Sequence, residues 1–247
     1  MNSTRGLWGR TLAWHDIFTG NSVAKHGRRM QDRDAQAEDR LKSADWLAEE
    51  GTPEALAALC RRFDLQLEHQ MKDRQEKDAV LELLVGAGPL GSEAVRQHAR
   101  VSANFQYAVR TLERIEGRTA STAFLLELLA GERLENEFHP EKKRTLLLTL
   151  AERKDPRIVE AAARFLPDFD EGVRHAAIEA IAAQEGEEGR APLEAALKRR
   201  NEESTRVRGR LAEVFGQRRW SVEEDGWIGE HMPPGYQLRG GVPVQGR

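Results

Sequence analysis

The clearest pattern along the chain is the helical spacing of apolar residues in 170–181. Five of these residues fall on one helical face: Val173, Ala176, Ala177, Ala180 and Ile181. Asp170 suits the N-cap, and Glu171 lies in the first turn, where the helix dipole favours an acid. Ile178 widens the apolar face to one side. A helix that is apolar over so much of its surface must have neighbours on two sides.

Imperfect copies of this helix recur along the chain. Residues 202–216 repeat the scheme, with Val207-Arg208 in the place of Val173-Arg174. Second helices led by proline lie between the copies, at 53–63, 89–101, 156–166 and 192–200, and a fifth without proline lies at 119–130. The four prolines are 36, 67 and 36 residues apart, and the proline-less helix divides the long interval. A helix-pair period of about 35 residues, repeated five times, predicts a solenoid.

Helix boundaries follow from the same pattern. The first helix of each pair is predicted at 33–50, 71–86, 104–116, 140–153, 171–184 and 204–217, and the second at 53–63, 89–101, 119–131, 156–166 and 190–200. The array then stops half way through a sixth unit, and its last apolar flank must be covered. We therefore divide the chain into an N-terminal arm or cap with a linker (1–32), the solenoid (33–217) and a Gly/Pro-rich C-terminal cap or tail (218–247).

The repeats resemble those of one known family. Tetratricopeptide and ankyrin signatures do not recur, whereas D-E-x-V-R-x-A-A-x-x-A-I at 170–181 and the Asp-Pro or Thr-Pro turns resemble HEAT repeats of the short bacterial, armadillo-like type. The resemblance implies an all-α fold, a right-handed α-solenoid of about five HEAT-like helix pairs plus a final helix. In that family a turn Asp and a helix Arg six residues later form a hydrogen-bonded ladder between repeats. Asp168 and Arg174 match this spacing, and Glu202 with Arg208 is a looser copy.

The N-terminal end departs from the repeat pattern. Residues 5–18 place Leu7, Thr11, Trp14 and Phe18 on one helical face, with Trp8 and Leu12 beside it, and a polar linker follows at 19–34. Residues 1–30 carry a net charge of +4, against −7 for the remainder. Two interpretations stay open: a cap on the first repeat, which we favour because an exposed aromatic patch is a liability, or an arm that binds a partner helix or a membrane surface.

The C-terminal end is irregular as well. Residues 219–247 contain six glycines and three prolines, which precludes a long helix. A small hairpin is predicted around Tyr236-Gln-Leu and Val-Pro-Val, with the proline on an edge. Trp220 and Trp227 favour a segment that folds back on the last helix, but a binding arm is the alternative. Disorder is expected for 242–247.

Composition excludes several classes of site and gives few partner clues. A single cysteine, Cys60, precludes an internal disulfide and a multi-cysteine zinc site, and its apolar helix predicts that it is a buried small hydrophobe. No apolar run approaches the ~20 residues of a membrane helix, so we expect a cytoplasmic protein. The preference for Arg over Lys is typical of GC-rich bacterial genomes. The net charge of −3 points to no partner class.

No constellation of catalytic or metal-binding residues emerges. The seven histidines are scattered and form no H-x-x-x-H or H-E pair, unlike the deoxyhypusine hydroxylases, which are HEAT enzymes that bind iron. No phosphate-binding loop occurs. We therefore expect no catalytic residue, no metal and no cofactor.

One feature suggests a binding surface. The second helices carry basic residues near their C-terminal ends: Arg61, Arg62, Arg96, Arg100, Arg164, Arg199 and Arg200. In HEAT-like solenoids the second helices line the concave surface, so the resemblance implies a basic row there that would suit phosphates or an acidic partner. The alternative is that the helix dipole alone favours these cations. The third unit interrupts the row with Leu128, Leu129 and Glu132.

These features predict a non-catalytic scaffold that binds another protein, with an acidic face, on its concave surface. The terminal residues Trp8, Trp14, Trp220 and Trp227 are further candidate contacts. An alternative is a nucleic-acid cradle resembling the HEAT-like DNA glycosylases, but a pI of 6.2 argues against it. A third is an accessory factor resembling the HEAT-containing phycobilin lyases, which nothing in the sequence supports.

Overall fold

The computed structural model describes residues 22–134, 140–223 and 226–246. Residues 22–31 are helical (α1), and the helices that follow are α2 (Ala37–Glu50), α3 (Pro53–Cys60), α4 (Gln70–Gly86), α5 (Gly88–Val101), α6 (Gln106–Glu116), α7 (Arg118–Gly131), α8 (Pro140–Ala151), α9 (Arg157–Ala163), α10 (Glu171–Ala182), α11 (Arg190–Leu197), α12 (Thr205–Arg218) and α13 (Trp227–Glu230). A 3-10 turn at Arg61–Phe63 extends α3, and a hairpin of β1 (Tyr236–Arg239) and β2 (Val242–Gln245) ends the described chain. The predicted helix pairs and final helix are confirmed.

Local sequence explains where these helices begin. Thr52 accepts a hydrogen bond from the amide of Ala55, 3.2 Å away, at the start of α3. Asp170 caps α10 in the same way by accepting from the amide of Val173 at 2.8 Å, as predicted. Side-chain caps of this kind satisfy amides that the first turn leaves without partners.

The chain divides into two compact units, with the boundary between Ser121 and Thr122 inside α7. In the first unit α2 packs on α3 and on α4, α4 packs on α6, and α3 packs on α5. Each helix therefore contacts its hairpin partner and the corresponding helix of the next pair, which is how an α-solenoid stacks. Leu47, Leu56, Phe63, Leu84 and Phe105 are fully buried in this core.

The second unit repeats this arrangement around α10. Helix α8 packs on α10, α10 packs on α9 and α12, and α11 packs on α12. The five residues of the predicted apolar face are all buried, and Ile178 is buried too. The opening pattern of the sequence is thus explained by helices on more than one side of α10.

Charged residues connect successive repeats, but not in the predicted pairing. Arg174 donates through Nη1 to the main-chain oxygens of Asp168 (3.0 Å) and Phe169 (2.9 Å), not to the Asp168 carboxylate. That carboxylate accepts instead from Lys143 on α8, at 2.6 Å. Arg174 in turn binds the Glu202 carboxylate through Nε (2.7 Å) and Nη2 (2.8 Å). The ladder therefore joins α8 and α10 each to the acid at the start of the next repeat.

The N-terminal part of the described chain differs from the prediction. Residues 22–31 fall within the expected polar linker but are helical, and Met30 is buried. The ring of His26 stacks on Trp46 of α2, with 4.4 Å between centroids. The linker prediction was wrong here because these two contacts give a polar segment enough packing to hold a helix. The aromatic arm at 5–18 lies outside the described residues.

The predicted C-terminal hairpin is confirmed. Gly240 and Gly241 have φ of 57° and 78°, the positive values that a tight two-residue turn between strands requires. Leu238 faces Pro243 across the ladder, at a non-hydrogen-bonded pair where the missing proline N–H is not needed. Strand β2 packs against α12. The disorder expected for 242–247 is therefore wrong for Val242–Gln245.

Candidate interaction surface

The predicted basic row begins with four arginines of the first unit, and the structure separates them. Arg62 is fully buried: it donates to Glu76 at 2.9 Å, to Asp73 at 2.8 Å and to a main-chain oxygen. The prediction that Arg62 meets a partner is wrong, because its guanidinium is consumed inside the unit. Arg96 is half-buried and binds Glu116 at 2.5 Å.

The other two arginines of this unit are at the surface. Arg61 lies in the 3-10 turn after α3, and Arg100 lies in the last turn of α5. Both side chains are exposed. They therefore belong to the helix ends and turns that lead into the next pair, not to the middle of a helix wall.

The three predicted arginines of the second unit also lie at helix ends. Arg164 is the C-cap of α9 and is exposed, with its guanidinium 5.7 Å from the ring of Phe165. Arg199 is half-buried and donates to the main-chain oxygen of Leu166 at 2.7 Å. Arg200 is exposed and lies over the Trp227 ring at 6.0 Å. The bond from Arg199 to Leu166 brings the C-terminal ends of α9 and α11 together.

An open groove lies between the turns that follow α9 and α11. Its volume is about 470 Å³. We call it the turn groove, and its lining residues are Pro167, Asp168, Phe169, Arg174, Arg199, Asn201, Glu202 and Glu203. Arg199 is thus a member of the predicted basic row that lines this groove.

The two turns have a shared local structure that fixes the groove. The amide of Asp170 donates to Asp168 Oδ1 at 3.0 Å, and the amide of Ser204 donates to Glu202 Oε1 at 2.9 Å. In each turn an acid accepts a hydrogen bond from the amide two residues later, and that later residue caps the next helix. This is the local side-chain to backbone bonding that favours such residues in turns.

Charge in the turn groove is unevenly balanced. Lys143 is paired with the carboxylate of Asp168, and Arg174 holds both oxygens of Glu202. Within the described part of the chain, Arg199 has no carboxylate within 4.0 Å. Burial lowers the pKa of the Arg199 guanidinium, and the nearby Glu202 opposes that change. Arg199 thus keeps donors available toward the groove.

An exposed aromatic residue lies on the same groove. The side chain of Phe169 is 75% exposed, although its neighbours Asp168 and Asp170 anchor the turn. Phe169 is not among the contact residues predicted from the sequence. The available signal was an aromatic residue between two acids in a turn, where packing cannot require it.

The four tryptophans have different roles in the structure. Trp8 and Trp14 lie outside the described residues. Trp220 is buried and packs edge-to-face on Phe215 with 5.5 Å between centroids, so as a partner contact it was predicted wrongly. Trp227 is half-buried between the ring of His231 and the guanidinium of Arg208, at 4.5 and 5.0 Å.

Three features of the described residues bear on metal binding and catalysis. Among the described residues no cluster of three or more His, Cys, Asp or Glu could hold a metal ion. Cys60 is fully buried, as predicted, and burial raises the pKa of its thiol to about 12. Ser102 donates to the Asp64 carboxylate at 2.5 Å, and His98 lies 3.5 Å from that same oxygen. Because the acid accepts the hydroxyl, this trio contains no serine–histidine nucleophile and base pair.

The described helices include none that is both long and apolar enough to cross a membrane. In a comparison with known protein families, residues 129–216 match the family model for HEAT repeats. No curated protein sequence matches the chain. One solved structure that resembles it is a TOG domain from C. elegans Zyg9, with 16% identity and a TM-score of 0.45 over 82% of this chain and 86% of that one.

Proposed function

We propose that this HEAT-repeat protein is a non-catalytic scaffold that binds another protein through the C-terminal ends of its second helices and the turns that follow them. In the second unit this surface comprises Arg164, Arg199 and Arg200 together with the turn groove. The observation that carries the proposal is the combination of three guanidinium groups lacking carboxylate partners in the described chain with the exposed ring of Phe169.

The contrast with other arginines of the same unit supports this choice. Arg157 pairs with Asp155 at 2.6 Å, and Arg206 lies 3.7 Å from Glu171. Arg210 binds Glu179 at 2.6 Å. These three arginines are compensated by acids of the protein itself, whereas within the described residues Arg164, Arg199 and Arg200 are not. A charge pattern of this kind steers and orients a partner.

The dipole of a helix favours cations at its C-terminus, and this effect alone would explain a basic residue there. It does not explain an exposed phenylalanine on the adjoining turn. Phenylalanine and arginine are both enriched at protein interfaces relative to the rest of the surface. Their proximity therefore favours a protein partner over helix electrostatics alone.

The test is an affinity capture from lysate, run in parallel with and without nuclease, with retained proteins quantified by mass spectrometry. The test variant is Arg164→Glu with Arg200→Glu, both exposed in the free protein. The control is Arg157→Glu with Arg206→Glu, which makes the same charge change elsewhere in the same unit. Circular dichroism must show that both variants fold.

We expect one protein to be retained by the wild type and by the control but to be lost from the test variant. Equal retention by all three forms would remove the helix ends as the binding surface. Retention that disappears with nuclease treatment would indicate a nucleic-acid ligand and refute the scaffold.

A further inference from the structure

We propose that the turn groove docks an acidic peptide segment, which bonds to Arg199 through a carboxylate and places an apolar side chain on Phe169. This inference rests on the scaffold function proposed above and adds the chemistry of the partner. It follows from how the charges and the ring of the groove are held.

The acids buried at the base of the groove cannot neutralise Arg199. Asp168 uses one oxygen for Lys143, at 2.6 Å, and the other for the amide of Asp170, at 3.0 Å. Glu202 accepts from both Arg174 and the amide of Ser204. Each acid is thus held by another cation, and neither lies within 4.0 Å of the Arg199 guanidinium. A carboxylate that pairs with Arg199 therefore comes from outside the groove.

Arg199 is held in a position that suits such a carboxylate. Its Nη1 donates to the main-chain oxygen of Leu166 at 2.7 Å, which fixes the guanidinium at the mouth of the groove. Its Nε and Nη2 donate to no described acceptor within hydrogen-bond distance. A guanidinium fork in which two donors remain available matches the two oxygens of a carboxylate.

Phe169 supplies the apolar half of the site. Its main-chain oxygen accepts from Arg174 at 2.9 Å, so the turn that carries the ring is fixed to α10. Phe169 as a whole is 75% exposed. Because the backbone of this turn is already ordered, a partner that covers the ring has only the side-chain rotation left to restrict, which favours Phe169 as an anchor. The groove volume of about 470 Å³ has room for a few side chains.

Replacing Glu203 should change the affinity for the peptide in the opposite direction to replacing Arg199. The side chain of Glu203 is exposed and lines the same groove. A carboxylate there repels an acidic ligand, so its removal should strengthen binding, whereas removal of Arg199 should weaken it.

The test uses fluorescence anisotropy with a labelled peptide of about ten residues, made of glutamates around one central tryptophan. Matched peptides replace every glutamate by glutamine, or the tryptophan by alanine. The reference is binding of the glutamate peptide to the wild-type protein. We expect about tenfold weaker binding when the glutamine peptide is used with the wild type, and also when the glutamate peptide is used with Arg199→Gln. Glu203→Gln should tighten binding about twofold, and Arg206→Gln should leave it unchanged.

Phe169→Ser tests the apolar contact without disturbing the core, because its side chain is at the surface. This substitution should weaken binding of the tryptophan peptide and leave binding of the alanine peptide unchanged. Equal binding of the glutamate and glutamine peptides, or weaker binding after Glu203→Gln, would overturn the acidic-segment proposal. If the capture experiment still loses its partner with Arg164→Glu and Arg200→Glu, the scaffold function survives that result.

Discussion

Buried charge in the first unit forms a network around Glu76. Arg40 donates to both oxygens of Glu76 at 2.8 Å, and Arg62 donates to one of them at 2.9 Å. Arg62 also binds Asp73, which pairs with Lys77 at 2.8 Å. Arg40 further donates to the main-chain oxygens of residues 32 and 35, much as Arg174 donates to those of residues 168 and 169. Glu76 is therefore the counterpart of Glu202 in the first unit.

Replacing Glu76 by glutamine should strongly destabilise the protein. The change leaves the buried guanidinium of Arg40 without a carboxylate and leaves Arg62 with Asp73 alone, and breaking a buried pair in this way costs about 3–5 kcal/mol. The matched control is Glu82→Gln, which removes an exposed pair with Arg114 and should change the free energy of unfolding by less than about 1 kcal/mol. Urea unfolding followed by circular dichroism measures both. Equal effects would mean that the buried network does not stabilise the unit.

The same network should make the free energy of unfolding depend on pH in the acid range. Burial disfavours charge on Glu76 and Asp73, but hydrogen bonds from Arg40, Arg62 and Lys77 leave the pKa of both carboxyls below the usual value. Their contribution to stability is present above the unfolded pKa and is lost as the pH falls through the folded pKa. We expect the free energy of unfolding to decline below about pH 4.5. Glu76→Gln should decline less steeply there, and parallel curves for the two proteins would contradict the assignment.

At the scale of elements, the sequence predicted the repeating helix pairs but not the side-chain contacts that join one repeat to the next. Helix pairs could be predicted because apolar spacing and the prolines recur along the chain. Nothing in the sequence distinguishes Arg61 from Arg62, yet one is exposed and the other meets Glu76, which is 14 residues further along. The acid-x-acid turn at Asp32 and Asp34 repeats that at Asp168 and Asp170, and could have been recognised. The turn groove could not have been recognised in this way, because it forms between two turns that are distant in sequence.

The contact between α12 and the hairpin depends on a residue without a side chain. A Cβ added at Gly216 would lie 2.7 Å from the main-chain oxygen of Pro243, whereas one added at Gly209 on the same helix meets nothing within 4 Å. Gly209→Ala should stabilise by up to about 1 kcal/mol through helix propensity. Gly216→Ala should destabilise by about 1–3 kcal/mol because the hairpin must shift.

Urea unfolding compares these two variants, and limited proteolysis reports whether the hairpin has been released. Gly216→Ala should be cleaved faster than wild type within 219–246, with Gly209→Ala at the wild-type rate. Stabilisation by both substitutions would show that the hairpin is not held against the helix in solution.

For the whole molecule, the question is how an array of repeats ends. A solenoid leaves an apolar flank on its last repeat, and solubility requires that something cover it. Arg208 occupies the ladder position of Arg174 but has no following repeat. It donates instead to the main-chain oxygen of His231 and lies over the ring of Trp227. The C-terminal segment thus takes the place of the next repeat in the second unit.

The C-terminal segment also buries apolar side chains of its own. Trp220, Val222 and Ile228 are each at most 5% exposed, and Trp220 covers Phe215 of α12. Ending the chain after Arg218 should therefore lower the free energy of unfolding by several kcal/mol, since each large side chain contributes about 1.5–3 kcal/mol on burial. The control is Trp227→Ala, which removes a half-buried ring and should cost less. A binding arm, unlike a cap, would leave stability unchanged when removed. Urea unfolding and size-exclusion chromatography separate the two, because a lost cap also exposes α12 and promotes self-association.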